Sequence, residues 1–299
     1  MKLRACAKIN RSLLVRGLRP DGYHDLETVF QSLALHDTLE FTEASEGITI
    51  ACPAPGVPLD ERNLVWKAAQ LVWRAAGRAG EPVGRAEITK QIPAQGGLGG
   101  GSADGAASLV GWNQLWGAGL SPDSLRGLAA GLGADVPFFL VGGTALGLNR
   151  GDDLRPLDDL PPRWVVLVFP PFGVSTPEAF RWWDEDQAGL AAGDVRQAAM
   201  SRVTTIALPV ASRESQADLP VVFNDLEGPV SRRHPELIRI REQLEAAGAE
   251  RAAMTGSGST MFGLFAGETA AKAAEAVLGS AGWRTLLTRT VTRREARIA

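Results

Sequence analysis

The sequence is poor in the residues that build metal centres and disulfide frameworks. It has two cysteines, Cys6 and Cys52, and three histidines, His24, His36 and His234. The cysteines are far apart, lack CxxC spacing and form no zinc pattern with the histidines. They read as ordinary thiols of a reducing compartment. Long apolar runs are missing too. No stretch approaches the roughly 18 to 20 unbroken apolar residues of a membrane span, and the opening MKLRACAKIN has no apolar core of a signal peptide, so a cytoplasmic location is expected. A strong charge of one sign is also absent: the formal net charge is −3, with Lys and Arg scattered along the chain. That removes the electrostatic basis for general binding to nucleic acid or anionic membranes. A small-molecule partner is expected, on a monomer or homodimer. There is no internal repeat and no low-complexity tract.

What is present suffices for two ordinary domains, because 299 residues exceed the usual single-core size. The segments ACAKINRSLLV, LALHDTLEFTEA and GITIACP read as short strands separated by turn residues. NLVWKAAQLVWRAAG places Leu64, Ala68, Leu71 and Val72 at helical spacing behind Asn63, a good N-cap. GRAEITKQIPA reads as a further strand and delivers the chain into PAQGGLGGGSADGAASLVGWNQLWG. After Pro156 the turn cluster DDLPP leads into the buried-type strand RWVVLVF, so the expected domains are 1–157 and 158–299. The Ala- and Arg-rich stretch from about Asp184 to Ser215 carries no usable motif.

From Gly96 to Gly101, five of six residues are glycine. Each glycine surrenders more backbone entropy on folding than any other residue, so the run needs an offsetting gain. Glycines let successive N–H groups turn inward as an anion nest, and a helix starting near Ser102 adds unpaired N–H groups and a positive dipole end. A triphosphate fits that environment; the plainer alternative is a turn needed only for packing. Neither GxxxxGK[ST] nor a sound dinucleotide fingerprint is present.

Taken together, Pro93–Ala107 (PAQGGLGGGSADGAA), AKINRSLLVRGLRPDGYHDLETVFQSLALHDTL near the start and AAMTGSGSTMFGLF near the end resemble the ordered motifs of the GHMP kinase superfamily. The resemblance implies an α+β, two-domain GHMP kinase fold: an N-terminal βαβ-containing domain and a C-terminal ferredoxin-like domain, with ATP and acceptor between them. It implies ATP contacts at Pro93, Ala94, Gln95, Gly96, Gly97, Leu98, Gly99, Gly100, Gly101, Ser102 and Ala103, with Asn63 and Lys90 beside the nucleotide and Mg²⁺ accompanying it. Gly105 departs from the more usual Ala, at a cost of about 1 kcal/mol in a helix interior.

Phosphoryl transfer asks a protein mainly for positioning and charge stabilisation. Asp135, in GADVPFFL, sits between small residues and an apolar run, and a buried carboxylate needs a partner. By itself it reads equally as a helix cap or a structural ion pair. The resemblance makes it the base that accepts the hydroxyl proton, with Lys8 as its partner. Ser102 is an N-cap, an oxygen near the phosphates or Mg²⁺, or both. Asp104 is expected in the first helical turn, complementing the dipole. The loop from Thr255 is expected beside the phosphates. For the acceptor, Asp21–His24 and Gly173–Phe180 suggest a flat, hydrogen-bonding ligand. They are similar to the segments with which some members of the superfamily hold a cytidine diphosphate methylerythritol. That similarity puts Tyr23 and Phe180 about the base, His24 on its edge, and Asn10 and Thr176 along the acceptor. Another GHMP kinase, acting on homoserine, mevalonate or a sugar, is the nearest alternative, followed by a nucleotide-binding regulator that has lost its chemistry.

Overall fold

The structure, a computed structural model, describes residues 1–94, 96–190 and 222–298. Gln95 and most of the Ala- and Arg-rich stretch lie outside the described residues. The first strands are long rather than short: β1 (Lys2–Leu18) and β2 (His24–Thr42) form one antiparallel pair. Register shifts at Cys6/Lys8, Asn10/Ser12 and Val15/Gly17 interrupt the ladder. Such bulges break the period-two pattern that would have revealed a continuous strand, and they bend the ribbon. As a result β2 serves further partners along its length. Leu26–Gln31 pairs with β5 (Thr144–Asn149), and Thr38–Thr42 pairs with β4 (Gly84–Thr89).

The parallel pair β3 (Ile48–Ala51) and β4 is joined through α1 (Leu64–Ala75), which gives the expected βαβ unit. Asn63 caps α1, its side chain accepting from the Val65 N–H at 3.0 Å. Helix α2 (Gly100–Leu115) begins two residues before Ser102 and is buried on most sides. Its small residues set the packing distance. A Cβ on Gly111 would sit 2.4 Å from the Phe41 ring, and one on Gly105 would sit 3.1 Å from the Leu64 Cβ. The unexpected glycine at 105 thus lets α1 lie close on α2. With α3 (Pro122–Leu132) and α4 (Val136–Val141), these helices cover the first sheet through Phe41, Val72, Ala107, Trp112 and Phe138.

The chain leaves the first sheet at β6 (Asp153–Pro156) and enters the second at β7 (Trp164–Phe169). The second sheet is antiparallel in the order β11 (Arg284–Arg289), β7, β10 (Met261–Phe265), β9 (Arg251–Met254). With α7 (Glu236–Ala246) before β9 and α8 (Glu268–Ser280) before β11, this is the ferredoxin-like arrangement. Val166 and Val168 face those helices, while Val165, Leu167 and Phe169 face Ala7, Ile9, Leu33 and Leu35 of the first sheet. A strand buried on both faces reads as the continuous apolar run seen in the sequence. After helix α5 (Thr176–Leu190), the short β8 (Phe223–Asn224) returns to pair in parallel with β1, and α6 (Glu227–Arg233) follows. Among the described residues, no helix is long and apolar enough to cross a membrane.

Candidate active site

A cleft of about 1180 Å³ runs between the glycine loop, the start of α2, the start of α5 and the loop after β9. On one side two glycine loops meet backbone to backbone. Gly97 and Gly99 both have φ of 72°, a left-handed conformation that glycine adopts without strain. A Cβ on Gly97 would fall 2.2 Å from the Thr255 carbonyl oxygen, and one on Gly99 would fall 2.5 Å from the Phe139 ring. Part of the glycine run therefore serves packing. Gly101 differs: a Cβ there meets nothing within 4 Å, and the residue borders the cleft. The first helical hydrogen bond of α2 is from the Ala103 N–H to the Gly99 carbonyl at 2.8 Å. The N–H groups of Gly100, Gly101 and Ser102 precede it and have no acceptor within the helix. Ser102 is not the N-cap, as one reading of the sequence had it; Gly99 holds that place without a side-chain bond.

Asp104 does not serve the helix dipole either, because it lies past the first turn. It forms a buried ion pair with Lys90 at 2.7 Å, and Lys90 also bonds to Asp37. Asp37 is fully buried and accepts the Gln91 and Ile92 N–H groups at 2.6 and 2.9 Å. One lysine thus serves a pair of carboxylates, and the buried Asp104 Oδ1 has no partner. Burial, opposed by the Lys90 charge and reinforced by Asp37, pushes the Asp104 carboxyl up to about 7. Lys90 and Asn63 border the cleft, yet both are largely engaged in the fold, Asn63 with Val65 and with the Pro58 carbonyl at 2.6 Å.

Lys8 and Asp135, far apart in sequence, come within 3.4 Å. The Lys8 side chain is 4% exposed and that of Asp135 36%, so the lysine is walled in while the carboxylate opens to the cleft. Strand β1 positions the lysine: its N–H donates to the Leu98 carbonyl at 3.0 Å, tying it to the glycine loop. Its Nζ donates to Asn10 Oδ1 at 2.6 Å, and Asn10 Nδ2 donates to Thr28 Oγ1 at 2.7 Å. The amide of Asn10 is thereby turned toward Lys8. Asp135 occupies the N-cap position of α4 but makes no cap bond.

At the other end of the cleft, Tyr23 is 57% exposed. The buried His24 ring stacks on Phe180 at 4.6 Å, and its Nε2 bonds to Asp184 at 2.8 Å. A carboxylate accepts, so Nε2 carries the hydrogen of this bond. Thr176 Oγ1 lies 3.0 Å from Ser257 Oγ and links α5 to the second glycine loop.

Several residues of the site are not among those the sequence suggested. Asp37 had a signal, since it shares a strand face with the buried Leu35 and Leu39. Asp184 lies four residues after Phe180, on the same helical face. Asn224 had none. Its side chain donates to the Met254 and Gly256 carbonyls at 2.9 and 2.7 Å, and so holds the second glycine loop in place from a two-residue strand.

A glycine-lined helix N-terminus facing a Lys–Asp pair is the layout of a small-molecule kinase. The model of the GHMP kinases N terminal domain matches residues 63–143 and that of the GHMP kinases C terminal matches residues 210–284. The chain belongs to the GHMP kinase family. A "4-diphosphocytidyl-2-C-methyl-D-erythritol kinase" from Moorella thermoacetica is 44% identical to it, over 92% of this chain and 93% of the relative. A protein of the same name from Pelotomaculum thermopropionicum is 43% identical over 96% of each chain. The crystal structure of a 4-(cytidine 5'-diphospho)-2C-methyl-D-erythritol kinase superposes with a TM-score of 0.76 at 36% identity, covering 97% of this chain and 99% of that one. A mevalonate kinase structure shares the fold, at a TM-score of 0.71 and 12% identity.

Proposed function

We propose that this chain transfers the γ-phosphoryl group of ATP to the 2-hydroxyl of 4-diphosphocytidyl-2-C-methyl-D-erythritol. The observation that carries the reading is the approach of Lys8 to Asp135 within 3.4 Å at the edge of the glycine cradle. It is supported by relatives of that name over nearly the whole chain. The triphosphate lies against the N–H groups that open α2, where the unpaired donors and helix dipole favour anionic oxygens. Asp135 takes the proton of the attacking hydroxyl. Lys8, held by Asn10, offsets the carboxylate's charge and meets the charge that spreads over the phosphoryl oxygens in transfer. Transfer is direct and in line, with no phosphoenzyme. Tyr23, His24 and Phe180 take the cytosine, whose ring supplies the flat face and polar edge that this cluster suits.

Mg²⁺ fits the site as an ion carried on the nucleotide. Among the described residues there is no cluster of three or more His, Cys, Asp or Glu side chains to hold one, and Asp104 is engaged with Lys90. The Ser102 hydroxyl, which borders the cleft at the start of α2, would be an oxygen available to it beside the phosphates. When bound with the nucleotide, the ion would supply neutralisation of phosphate charge.

ADP release measured with Mg-ATP and a panel of acceptors tests the reading. Turnover with the cytidylated diphosphate, and none with methylerythritol phosphate, homoserine or mevalonate, is expected. Turnover with another member of the panel would keep the kinase and discard the base pocket. ATP binding without any turnover would favour a regulator.

A further inference from the structure

We propose that Arg150, on the turn between β5 and β6, forms a subsite for the diphosphate of the acceptor; this rests on the acceptor reading above. In that reading the base lies at Tyr23, His24 and Phe180, and the reacting hydroxyl lies at Asp135. The diphosphate joins them and must cross the cleft wall in between. That wall includes the β5–β6 turn, which touches both ends. Arg150 lies over the Tyr23 ring, 5.4 Å from its centroid. The next residue, Gly151, is close enough to the other end that a Cβ there would lie 3.5 Å from the Phe30 ring and 3.9 Å from the Thr28 methyl. Phe30 is the ring under Lys8 Nζ at 5.5 Å, and Thr28 holds the Asn10 amide.

A diphosphate calls for a cation, and Arg150 borders the cleft on the wall between the two ends. Lys8 is held by Asn10 and Asp135 and Lys90 by Asp37 and Asp104, while Asp60 grips Arg62 through Nε and Nη2 in the way Asp152 grips Arg150. Arg181 is exposed and lies 3.8 Å from Glu185 on its own helix. Arg150 is paired with Asp152 and oriented by it, and its place over the Tyr23 ring sets it apart from Arg62. Its Nε and Nη2 both bond to Asp152 Oδ2, at 3.0 and 2.5 Å, and Nη1 makes no bond among the described residues. A guanidinium fixed along one edge presents its remaining N–H groups in a defined direction, which suits phosphate oxygens. The turn itself is held in a costly conformation. Asn149, with φ of 60°, is the only non-glycine residue of positive φ among the described residues. Local strain of that kind is retained where the surroundings demand a particular backbone path.

Competition against the acceptor by cytidine and by CDP, in the wild-type protein and in Arg150→Gln and Arg150→Lys, separates this role from simple support of Tyr23. Loss of a charge-assisted contact is expected to weaken CDP by about tenfold or more in Arg150→Gln. Cytidine should change by less than about twofold, and the KM for ATP should hold. Arg150→Lys should recover part of the CDP affinity. Equal weakening of cytidine and CDP would overturn the proposal by making Arg150 a prop for the Tyr23 ring, and no weakening of either would overturn it outright. A wild-type protein that binds neither compound would remove the acceptor reading and this subsite with it.

Discussion

Gly97→Ala and Gly101→Ala make the same chemical change four residues apart in one loop, and the structure assigns them opposite consequences. At Gly97 the added Cβ would lie 2.2 Å from a backbone carbonyl, that of Thr255, and the residue has φ of 72°. Backbone cannot turn aside as a side chain can. The left-handed conformation costs an alanine about 1 to 2 kcal/mol, and forced overpacking adds about 1 to 3 kcal/mol. The sum, about 2 to 5 kcal/mol, should lower the melting temperature by roughly 5 to 15 °C. At Gly101 the added Cβ meets nothing within 4 Å and the residue is helical. Alanine there should stabilise the helix by up to about 1 kcal/mol. Its methyl group projects into the space assigned to the triphosphate, so the same variant should raise the KM for ATP severalfold. Thermal unfolding and ATP kinetics on both proteins check this. A Gly97→Ala protein that melts with the wild type, or a Gly101→Ala protein with unaltered ATP kinetics, would refute the division of the run into packing and cradle glycines.

Two further predictions concern groups buried behind the cleft. In the fold the Asp104 carboxyl titrates near 7, against an ordinary 3.8. Between those values the folded state binds more protons than the unfolded state, so the contribution of Asp104 to stability is greatest below about pH 4 and is lost as the pH rises toward 7. Asp104→Asn should therefore show a melting temperature that falls less between pH 5 and pH 8 than that of the wild type; parallel curves would contradict the assignment. Asn224→Asp removes both donors to Met254 and Gly256 and turns a carboxylate toward their carbonyls. It should lose about 2 kcal/mol or more of stability and, because Gly256 lies beside Lys8, lower kcat as well. Unaltered urea unfolding would count against the clasp.

Much of this architecture is legible in local pattern. The helix behind Asn63, the both-faces-buried run of β7 and the glycine loop feeding α2 each rest on interactions within a few residues of chain. What could not be read depends on partners far away in sequence. The true lengths of β1 and β2 are hidden by bulges that interrupt alternation. Gly105 reads as a weakness in a helix because nothing local shows that Leu64 packs against it. Asp104 reads as a dipole partner because nothing local announces that it shares Lys90 with Asp37. Lys8 and Asp135 could be linked through the family resemblance, but their approach is a property of the folded sheet and of the helix that starts at Val136.

The Asp135→Asn variant tests the central claim, that the Lys8–Asp135 pair is where transfer occurs. Single-turnover phosphoryl transfer from ATP to the cytidylated acceptor should fall by about 10² to 10⁴, while CDP and ATP still bind and the melting temperature holds. Transfer at the wild-type rate in a folded Asp135→Asn protein would contradict it.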